Sequence, residues 1–191
     1  MFFMYNITMD FIKQLDFSTL NFMEQIRAPF LTTFFKTVTA LGEWSFVLGA
    51  LVLISLFFII KKRFRYDFIL WAVTIGGLGT AFVFKEIFHR SRPIGGLIAE
   101  TSSSFPSAHS VISIAFYAFI FYLLAGNAKN GFSKYLLISL VFLVPVLLGF
   151  SRLYLGVHYL SDVLAGYAIG DVWFLIGVYG LKFINRKKLS A

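Results

Sequence analysis

Long uncharged stretches alternate with short charged connectors along most of the chain. Five stretches stand out, at residues 44–60, 68–84, 110–128, 135–151 and 163–170, the last continued beyond Asp171 to Leu181. Each complete stretch is close to the roughly 20 residues that cross a bilayer as a helix. The pattern therefore predicts an all-α, polytopic membrane bundle of five to six transmembrane helices.

The first 43 residues show a different pattern, because charged side chains interrupt every apolar window. These charged residues are Asp10, Lys13, Asp16, Glu24, Arg27, Lys36 and Glu43. With Pro29 as a break, the mixture of apolar and polar positions predicts short amphipathic helices in the membrane interface. A distorted first span is the alternative. We accordingly expect an interfacial segment at 1–43 and a transmembrane domain at 44–191. Acidic Asp10 and the lack of a basic leading region argue against a cleavable signal peptide.

The composition agrees with a membrane protein rather than a soluble domain. Of the 191 residues, 59% are hydrophobic and only 14% are charged. The net charge of +8 could suggest a nucleic-acid partner, but in so hydrophobic a chain membrane topology and anionic headgroups explain it better. Cysteine is absent, which excludes disulfides and thiolate metal sites.

Basic residues predict the orientation of the spans. The tight connector at 61–65 carries four of them and is predicted to be cytoplasmic. Counting spans from there, the inner side collects Lys61, Lys62, Arg63, Arg65, Lys129, Lys134, Lys182, Arg186, Lys187 and Lys188. The outer side still holds Lys85, Arg90, Arg92 and Arg152. These four cations depart from the positive-inside tendency, and an anion-binding site outside explains them.

The segment at 151–162 concentrates the chemistry of the chain. His158 and Asp162 are four residues apart, which on a helix places them on one face. A carboxylate there can fix the imidazole tautomer and leave the other ring nitrogen as an oriented lone pair. Arg152 lies just upstream, and its guanidinium group is well shaped to bind phosphate. The segment thus combines a nucleophile, its orienting acid and an anion clamp.

A second group of polar residues lies on the same predicted side. Lys85 ends the second span, and Arg92-Pro93 follows after six residues. The serine-rich run at 102–107 then leads into an apolar stretch, which is a helix-start signal. A helix N-terminus suits phosphate because its backbone N–H groups are unpaired. His109 falls in that first turn, where it can protonate a leaving group.

Together these stretches resemble the type 2 phosphatidic acid phosphatase superfamily, the lipid phosphate phosphatases. The three matching motifs are Lys85…Arg92-Pro93, Pro106-Ser107-Ala108-His109 and Ser151-Arg152…His158…Asp162. They occur in the family's order, and the resemblance covers roughly 61–181. One departure is Ala108, which replaces the usual glycine. Alanine keeps the backbone N–H but disfavours positive φ, so either the turn is helical or the phosphate loop differs slightly.

The resemblance implies a mechanism and a set of site residues. His158 becomes a phosphohistidine, Asp162 holds its tautomer, and His109 serves as general acid and then as base. The phosphate-binding groups are Lys85, Arg92, Ser107, the Ala108 N–H and Arg152. Neither a metal nor a cofactor is implied, because the cations of the protein take that role.

The span count puts the site on the extracytoplasmic side, and the small size with short outer loops favours a bacterial inner-membrane enzyme. Its substrate is a lipid phosphate monoester or pyrophosphate: phosphatidylglycerophosphate, undecaprenyl pyrophosphate, phosphatidic acid or a lipid A phosphate. Membrane lipids are the other expected partners, and a homo-oligomer is left open. The alternatives are a non-catalytic binder or transporter of lipid phosphate, and a haloperoxidase-like enzyme that holds vanadate in the same pocket.

The last span supplies a separate prediction. At about 100° per residue, four glycines fall on the face that carries His158 and Asp162. They are Gly166, Gly170, Gly177 and Gly180. Small residues let membrane helices approach closely, so this face is expected to be buried in the bundle. Asp171 falls on the opposite face, where a contact with a neighbouring helix or a second subunit is expected. His89 and Arg90 match no motif position, and we expect headgroup or solvent contacts for them, with a substrate contact as the alternative for Arg90.

Overall fold

The computed structural model describes residues 2–187, and within that range every regular element is a helix. The seven helices are α1 (Phe2–Gln25), α2 (Pro29–Ala40), α3 (Trp44–Ile60), α4 (Phe64–Phe88), α5 (Ala108–Gly126), α6 (Gly131–Tyr154) and α7 (Leu160–Lys187). Helix α5 widens to a π-helix at Ser113–Ala118 and continues as an α-helix on both sides.

The predicted membrane bundle is confirmed. Helices α4, α5, α6 and α7 are each long and apolar enough to cross a bilayer. Helices α2 and α3 meet at a 48° bend, and as one bent element they form a fifth candidate span. Helix α3 begins and ends at the residues that bound the first uncharged stretch. These boundaries were predictable because charged connectors cannot enter the hydrocarbon core without cost.

The expectation of several short helices before residue 44 is wrong for residues 2–25. Helix α1 is one continuous helix of 24 residues. Its sequence contains neither glycine nor proline, so nothing in the backbone interrupts it. Pro29 does mark the break, since it occupies the first turn of α2. A proline is tolerated there because its missing N–H would have had no helical partner.

The hydrophobic core has two parts that lie at different levels of the bundle. The larger part joins α3, α4, α5 and α7 through residues such as Leu51, Leu70 and Phe119. The smaller part joins α1 and α2 to the end of α6 and the start of α7, with Met23 and Tyr154 among its members. The N-terminal helices are therefore packed onto the segment that carries the 151–162 motif.

The glycine face of α7 is buried in the bundle, as predicted. A Cβ at Gly166 would lie 2.6 Å from the Ser107 carbonyl oxygen. A Cβ at Gly170 would lie 2.9 Å from Cβ of Ile114, and one at Gly177 would lie 2.6 Å from the ring of Phe119. These approaches leave no room for a side chain. They bring α7 directly against the start of α5, which carries the second motif.

Candidate active site

The three motifs converge at one end of the helical bundle. Lys85 lies in the last turn of α4, His109 in the first turn of α5, and Arg152 in the last turn of α6. Arg92 belongs to the connector after α4, and His158 lies between α6 and α7. Side chains from segments far apart in the sequence thus line one pocket, as the motif analysis predicted.

His158 lies between Asp162 and the cations of the pocket. Its Nδ1 atom is 3.5 Å from Oδ2 of Asp162, and its Nε2 atom is 3.1 Å from Nη1 of Arg92. Burial, together with the charges of Arg152 and Arg92, lowers the pKa of His158 well below its ordinary value. The ring is therefore neutral at physiological pH. With Asp162 on the Nδ1 side, the Nε2 lone pair faces the pocket.

The sequence prediction placed His158 and Asp162 on one helix, and this detail is wrong. His158 precedes α7, and only Asp162 belongs to that helix. They are neighbours because the Asp162 carboxylate accepts the backbone N–H of Tyr159 at 2.9 Å. An acid in the first turn that bonds back to a preceding N–H is a helix cap. The same contact folds the chain so that the His158 ring lies beside the carboxylate.

Arg152 is fully buried and connects several parts of the pocket. Its Nη1 donates to Oγ1 of Thr39 at 2.8 Å and lies 3.4 Å from Nε2 of His109. Its Nη2 donates to the Glu100 carboxylate. A guanidinium group presents several N–H donors in one plane, so it can bind a phosphoryl group while it keeps hydrogen bonds to neighbouring protein groups.

His109 is held by the turn between α2 and α3. Its Nε2 lies 3.5 Å from Oε1 of Glu43. Gly42 packs against the ring so closely that a Cβ there would lie 2.3 Å from Cδ2 of His109. The N-terminal segment therefore helps to build the pocket, which the motif analysis did not include. The sequence could have indicated this contact, because Glu43 directly precedes the first predicted span, on the same predicted side of the membrane as the three motifs.

Ser107 and Ala108 form the start of α5. The Ser107 hydroxyl accepts the backbone N–H of Ser110, so it caps the helix. Its own N–H donates to the Asp162 carbonyl at 3.0 Å. Ala108 is the first helical residue and has no positive φ. Of the two explanations that the sequence left open for this position, the structure has the helical turn, where alanine costs nothing.

Lys85 and Arg92 are fixed by carbonyl groups of the connector between α4 and α5. The Lys85 ammonium donates to the Ser103 carbonyl, and the Ser103 hydroxyl returns a bond to the Lys85 carbonyl at 2.9 Å. Arg92 donates to the carbonyls of Ser102 at 2.7 Å and Val157 at 3.0 Å. Backbone carbonyl groups thus hold both cations in fixed orientations.

Glu100 is a pocket residue that sequence reasoning missed. Its carboxylate accepts from Arg152 and lies 3.4 Å from Nη2 of Arg92. Burial raises the pKa of Glu100, but the charges of Arg152 and Arg92 outweigh it and hold the pKa below its usual value. The ionised carboxylate therefore lies between the two guanidinium groups that the resemblance assigns to phosphate. As the only acid in the segment 91–107, it carried a signal in the sequence.

Arg90 is partly exposed, as expected, but it also binds two carboxylates. Its Nη1 is 2.6 Å from Oδ1 of Asp162, and its Nη2 is 2.7 Å from Oδ2 of Asp16. His89, by contrast, is exposed and ends α4 with a left-handed backbone, φ 43°. The two adjacent residues therefore differ in role, since only Arg90 reaches the pocket carboxylate.

Asp171 lies away from the pocket, as its position on the helical wheel predicted. It is exposed and lines a cavity of about 530 Å³ between α5, α6 and α7. Within residues 2–187, the structure shows no hydrogen bond or ion pair for its carboxylate. The expected contact with a neighbouring helix is thus not observed, and a role at a subunit contact stays a prediction.

The fold and the pocket together define a class: an integral membrane protein that gathers cations around two histidines at one end of its bundle. The sequence profile of the PAP2 superfamily matches residues 68–186, which include all three motifs. The chain therefore belongs to the PAP2 superfamily and is a membrane lipid phosphate phosphatase.

Two curated relatives agree with this assignment. The chain is 35% identical over 159 residues to phosphatidylglycerophosphatase B of Bacillus subtilis, covering 79% of this chain and 75% of that protein. It is 25% identical over 183 residues to the lipid A 4'-phosphatase of Porphyromonas gingivalis, covering 85% and 71%.

Two solved structures have the same fold. The transmembrane PAP2-type phosphatidylglycerolphosphate phosphatase of Bacillus subtilis superposes with a TM-score of 0.82 at 30% identity, over 92% of this chain and 87% of that one. LpxE of Aquifex aeolicus superposes with a TM-score of 0.67 at 23% identity, over 86% and 95% of the two chains. At that identity, the second likeness concerns the fold alone.

Proposed function

We propose that this protein removes the terminal phosphate of phosphatidylglycerophosphate through a phosphohistidine on His158. The observation that carries this proposal is the placement of the His158 ring, with Nδ1 beside Asp162 and Nε2 beside Arg92. An imidazole held in this way is neutral, oriented and next to the groups that bind the phosphoryl oxygens. The similarity to phosphatidylglycerophosphatase B supports the choice of lipid.

In the first step, Nε2 of His158 attacks the phosphorus atom and a P–N bond forms. The bond between phosphorus and the leaving glycerol oxygen breaks, and His109 gives its proton to that oxygen. Asp162 accepts a hydrogen bond from the Nδ1–H of His158, which keeps its proton, and stabilises the positive charge that the ring gains. His109 suits this role because Arg152 and Glu43 hold it at 3.4 and 3.5 Å on the edge of the same pocket.

In the second step, His109 takes a proton from water, and the resulting oxygen nucleophile attacks the phosphohistidine. The P–N bond breaks, inorganic phosphate forms, and His158 returns to its neutral state. The positive side chains Lys85, Arg92 and Arg152 stabilise the charge on the phosphoryl oxygens in both steps. Because these cations supply the required charge, we propose that the reaction needs no metal ion.

A cleft beside the pocket supports a headgroup larger than that of phosphatidic acid. The cleft has a volume of about 330 Å³, and Lys36, Glu43 and Glu100 are among the residues that line it. Phosphatidylglycerophosphate carries a phosphodiester in addition to its terminal phosphate. Lys36 lies exposed on α2 and provides a cation for that second anion.

We further propose that the pocket opens on the extracytoplasmic side of the inner membrane. The support is the distribution of basic residues, ten of which fall on the opposite side at 61–65, 129–134 and 182–188. Alkaline phosphatase fused after residue 191 tests the orientation, because this reporter is active only outside the cytoplasm. An inactive fusion is expected, and an active one would refute the assignment.

Phosphate release in detergent tests the activity. Phosphatidylglycerophosphate, undecaprenyl pyrophosphate, phosphatidic acid and a lipid A phosphate are compared with and without a chelator. We expect the first lipid to have the highest kcat/KM, activity to survive chelation, and His158→Ala to abolish release from all four. A chain that binds the lipids without releasing phosphate would instead be the binder or transporter considered above. A His158→Ala variant that keeps its activity would refute the role of His158 as nucleophile.

A further inference from the structure

We propose that Asp16 and Arg90 are positioning residues that hold the Asp162 carboxylate against His158, which makes α1 part of the catalytic machinery. This inference rests on the proposed function, since it assumes that His158 is the nucleophile. Neither Asp16 nor Arg90 belongs to the three motifs. Asp16 lies in the segment that sequence reasoning assigned to the membrane interface, with a distorted span as the alternative, and not to the catalytic site.

The burial of Asp16 is the first observation. The residue is only 1% exposed, although it belongs to α1, whose other charged residues face outward. Its carboxylate accepts the backbone N–H of Ser161 at 2.8 Å and the Ser161 hydroxyl at 2.7 Å. The Arg90 guanidinium donates to it at 2.7 Å. Burying a carboxylate is costly unless such partners are present, so the position of α1 is set by this contact.

The placement of Arg90 is the second observation. Through Nη2 it bonds Asp16, while Nη1 donates to the Ser161 hydroxyl at 2.7 Å and to Oδ1 of Asp162 at 2.6 Å. The guanidinium carbon lies 4.2 Å from the ring centre of Tyr159. A rigid planar group held by two carboxylates and one aromatic face has little freedom to move. Arg90 therefore transmits the position of Asp16 to Asp162.

The consequence concerns the orientation of the Asp162 carboxylate. Arg90 holds its Oδ1 atom, and the Tyr159 N–H holds its Oδ2 atom. Oδ2 is the oxygen that lies 3.5 Å from Nδ1 of His158, and that nitrogen has no hydrogen-bond partner within the described residues. Without Arg90 the carboxylate can rotate about its side chain. The His158 ring would then lose the nearby carboxylate that is able to accept its Nδ1–H during the reaction, whereas the cations proposed to bind phosphate would remain in place.

Asp16→Asn and Arg90→Lys test the proposal. Asparagine keeps the shape of Asp16 without its charge, and lysine keeps the charge of Arg90 without the fork that spans both carboxylates. We expect kcat on phosphatidylglycerophosphate to fall by roughly 10- to 100-fold in each variant, the effect of a small displacement of a reacting group. The KM and the inhibition constant of vanadate should stay within about twofold of the unmodified protein, since no anion-binding group is altered. The control is Asp10→Asn, an exposed acid on the same helix.

The double variant Asp16→Asn/Arg90→Lys separates a shared bridge from two independent effects. If both residues act through one bridge, the double variant loses no more than about the larger single loss. Unchanged kcat in both single variants would overturn the proposal. So would a parallel loss of kcat and vanadate binding, which indicates general loosening of the pocket. If Asp16→Asn fails to fold, Arg90→Lys carries the same test, because that side chain is 30% exposed.

His158→Ala, measured alongside, separates this inference from the proposed function. An active His158→Ala variant would refute the phosphohistidine mechanism itself. An inactive His158→Ala variant together with fully active Asp16→Asn and Arg90→Lys variants would leave the mechanism intact and remove only the positioning role.

Discussion

Glu100 lies between Arg152 and Arg92, the two guanidinium groups proposed to bind phosphate, which leads to a quantitative prediction for Glu100→Gln. In the unmodified protein a phosphoryl group must displace the carboxylate from Arg152 and Arg92 before it can bind. Glutamine has nearly the same shape but no charge, so it competes less strongly for the same N–H groups. We therefore expect Glu100→Gln to bind oxyanions more tightly than the unmodified protein does.

The magnitude follows from the contact that is lost. A hydrogen bond to a charged group contributes about 1.5–3 kcal/mol net. The Glu100 side chain is 21% exposed, and solvent screening reduces the contribution of its pair with Arg152 to about 1–2 kcal/mol. That free energy corresponds to a vanadate inhibition constant that is roughly 5- to 30-fold lower. Inhibition by inorganic phosphate should strengthen by a similar factor, because the product uses the same cations.

The assay is competitive inhibition of lipid phosphate hydrolysis by vanadate, measured for Glu100→Gln and for the control Glu86→Gln. Glu86 is an exposed carboxylate on α4. Because the pKa of Glu100 lies below its usual value, the carboxylate stays ionised from about pH 5 to 8. The ratio between variant and unmodified protein should therefore be constant over that range. An unchanged or higher inhibition constant for Glu100→Gln would refute the competition, as would the same gain in the control.

Four further predictions concern the chemistry and the packing. Because the pKa of His158 is lowered, its ring stays neutral at pH values below the ordinary pKa of histidine. The titration of His158 should therefore cause no fall in kcat/KM between about pH 8 and 6.5. A fall in kcat/KM that is half complete above about pH 6.5 would contradict this. With an activated aryl phosphate, acid-labile label should accumulate on His109→Ala and be absent from His158→Ala; label on His109 would reverse the two roles. Gly166→Ala places a methyl group 2.6 Å from the carbonyl that precedes α5, so we expect a loss of about 1–3 kcal/mol in stability and a clear loss of activity; Gly49→Ala, which has open space around its Cβ, is the control and should match the unmodified protein. Lys36→Gln should raise KM for phosphatidylglycerophosphate several-fold and leave KM for phosphatidic acid unchanged; equal effects on both lipids would exclude the second anion contact.

Much of the fold was predictable because it depends on local composition. Charge-free windows of sufficient length located the spans, and α3 begins and ends where its window does. The burial of Gly166 and Gly170 followed from helical periodicity alone. The continuity of α1 was missed because its charges suggested interruption, although no glycine or proline supports a break. The prediction considered the polarity of the side chains, whereas the continuity of the helix depends on a backbone that glycine or proline would interrupt.

The site divides in a similar way. The motif residues and their convergence were predictable, since spacing and span counting put them on one side. Their partners were not: Arg90 with Asp16, His109 with Glu43, and Arg152 with Glu100. Each of these pairs joins segments whose relative position depends on how α1, α2 and the long connector pack against the bundle. The sign of the charge and the side of the membrane limit which residues can form ion pairs, but tertiary packing determines which pairs form.

The buried contact of α1 also determines when the protein can become active during biosynthesis. Helix α1 leaves the ribosome well before Ser161, which donates two hydrogen bonds to Asp16. Until that residue is inserted, the aspartate lacks these two donors, and the catalytic carboxylate at position 162 has not yet been made. Under the proposed mechanism, a chain that ends before residue 162 cannot hydrolyse the lipids around it, and full activity begins only after α1 and the start of α7 have packed together.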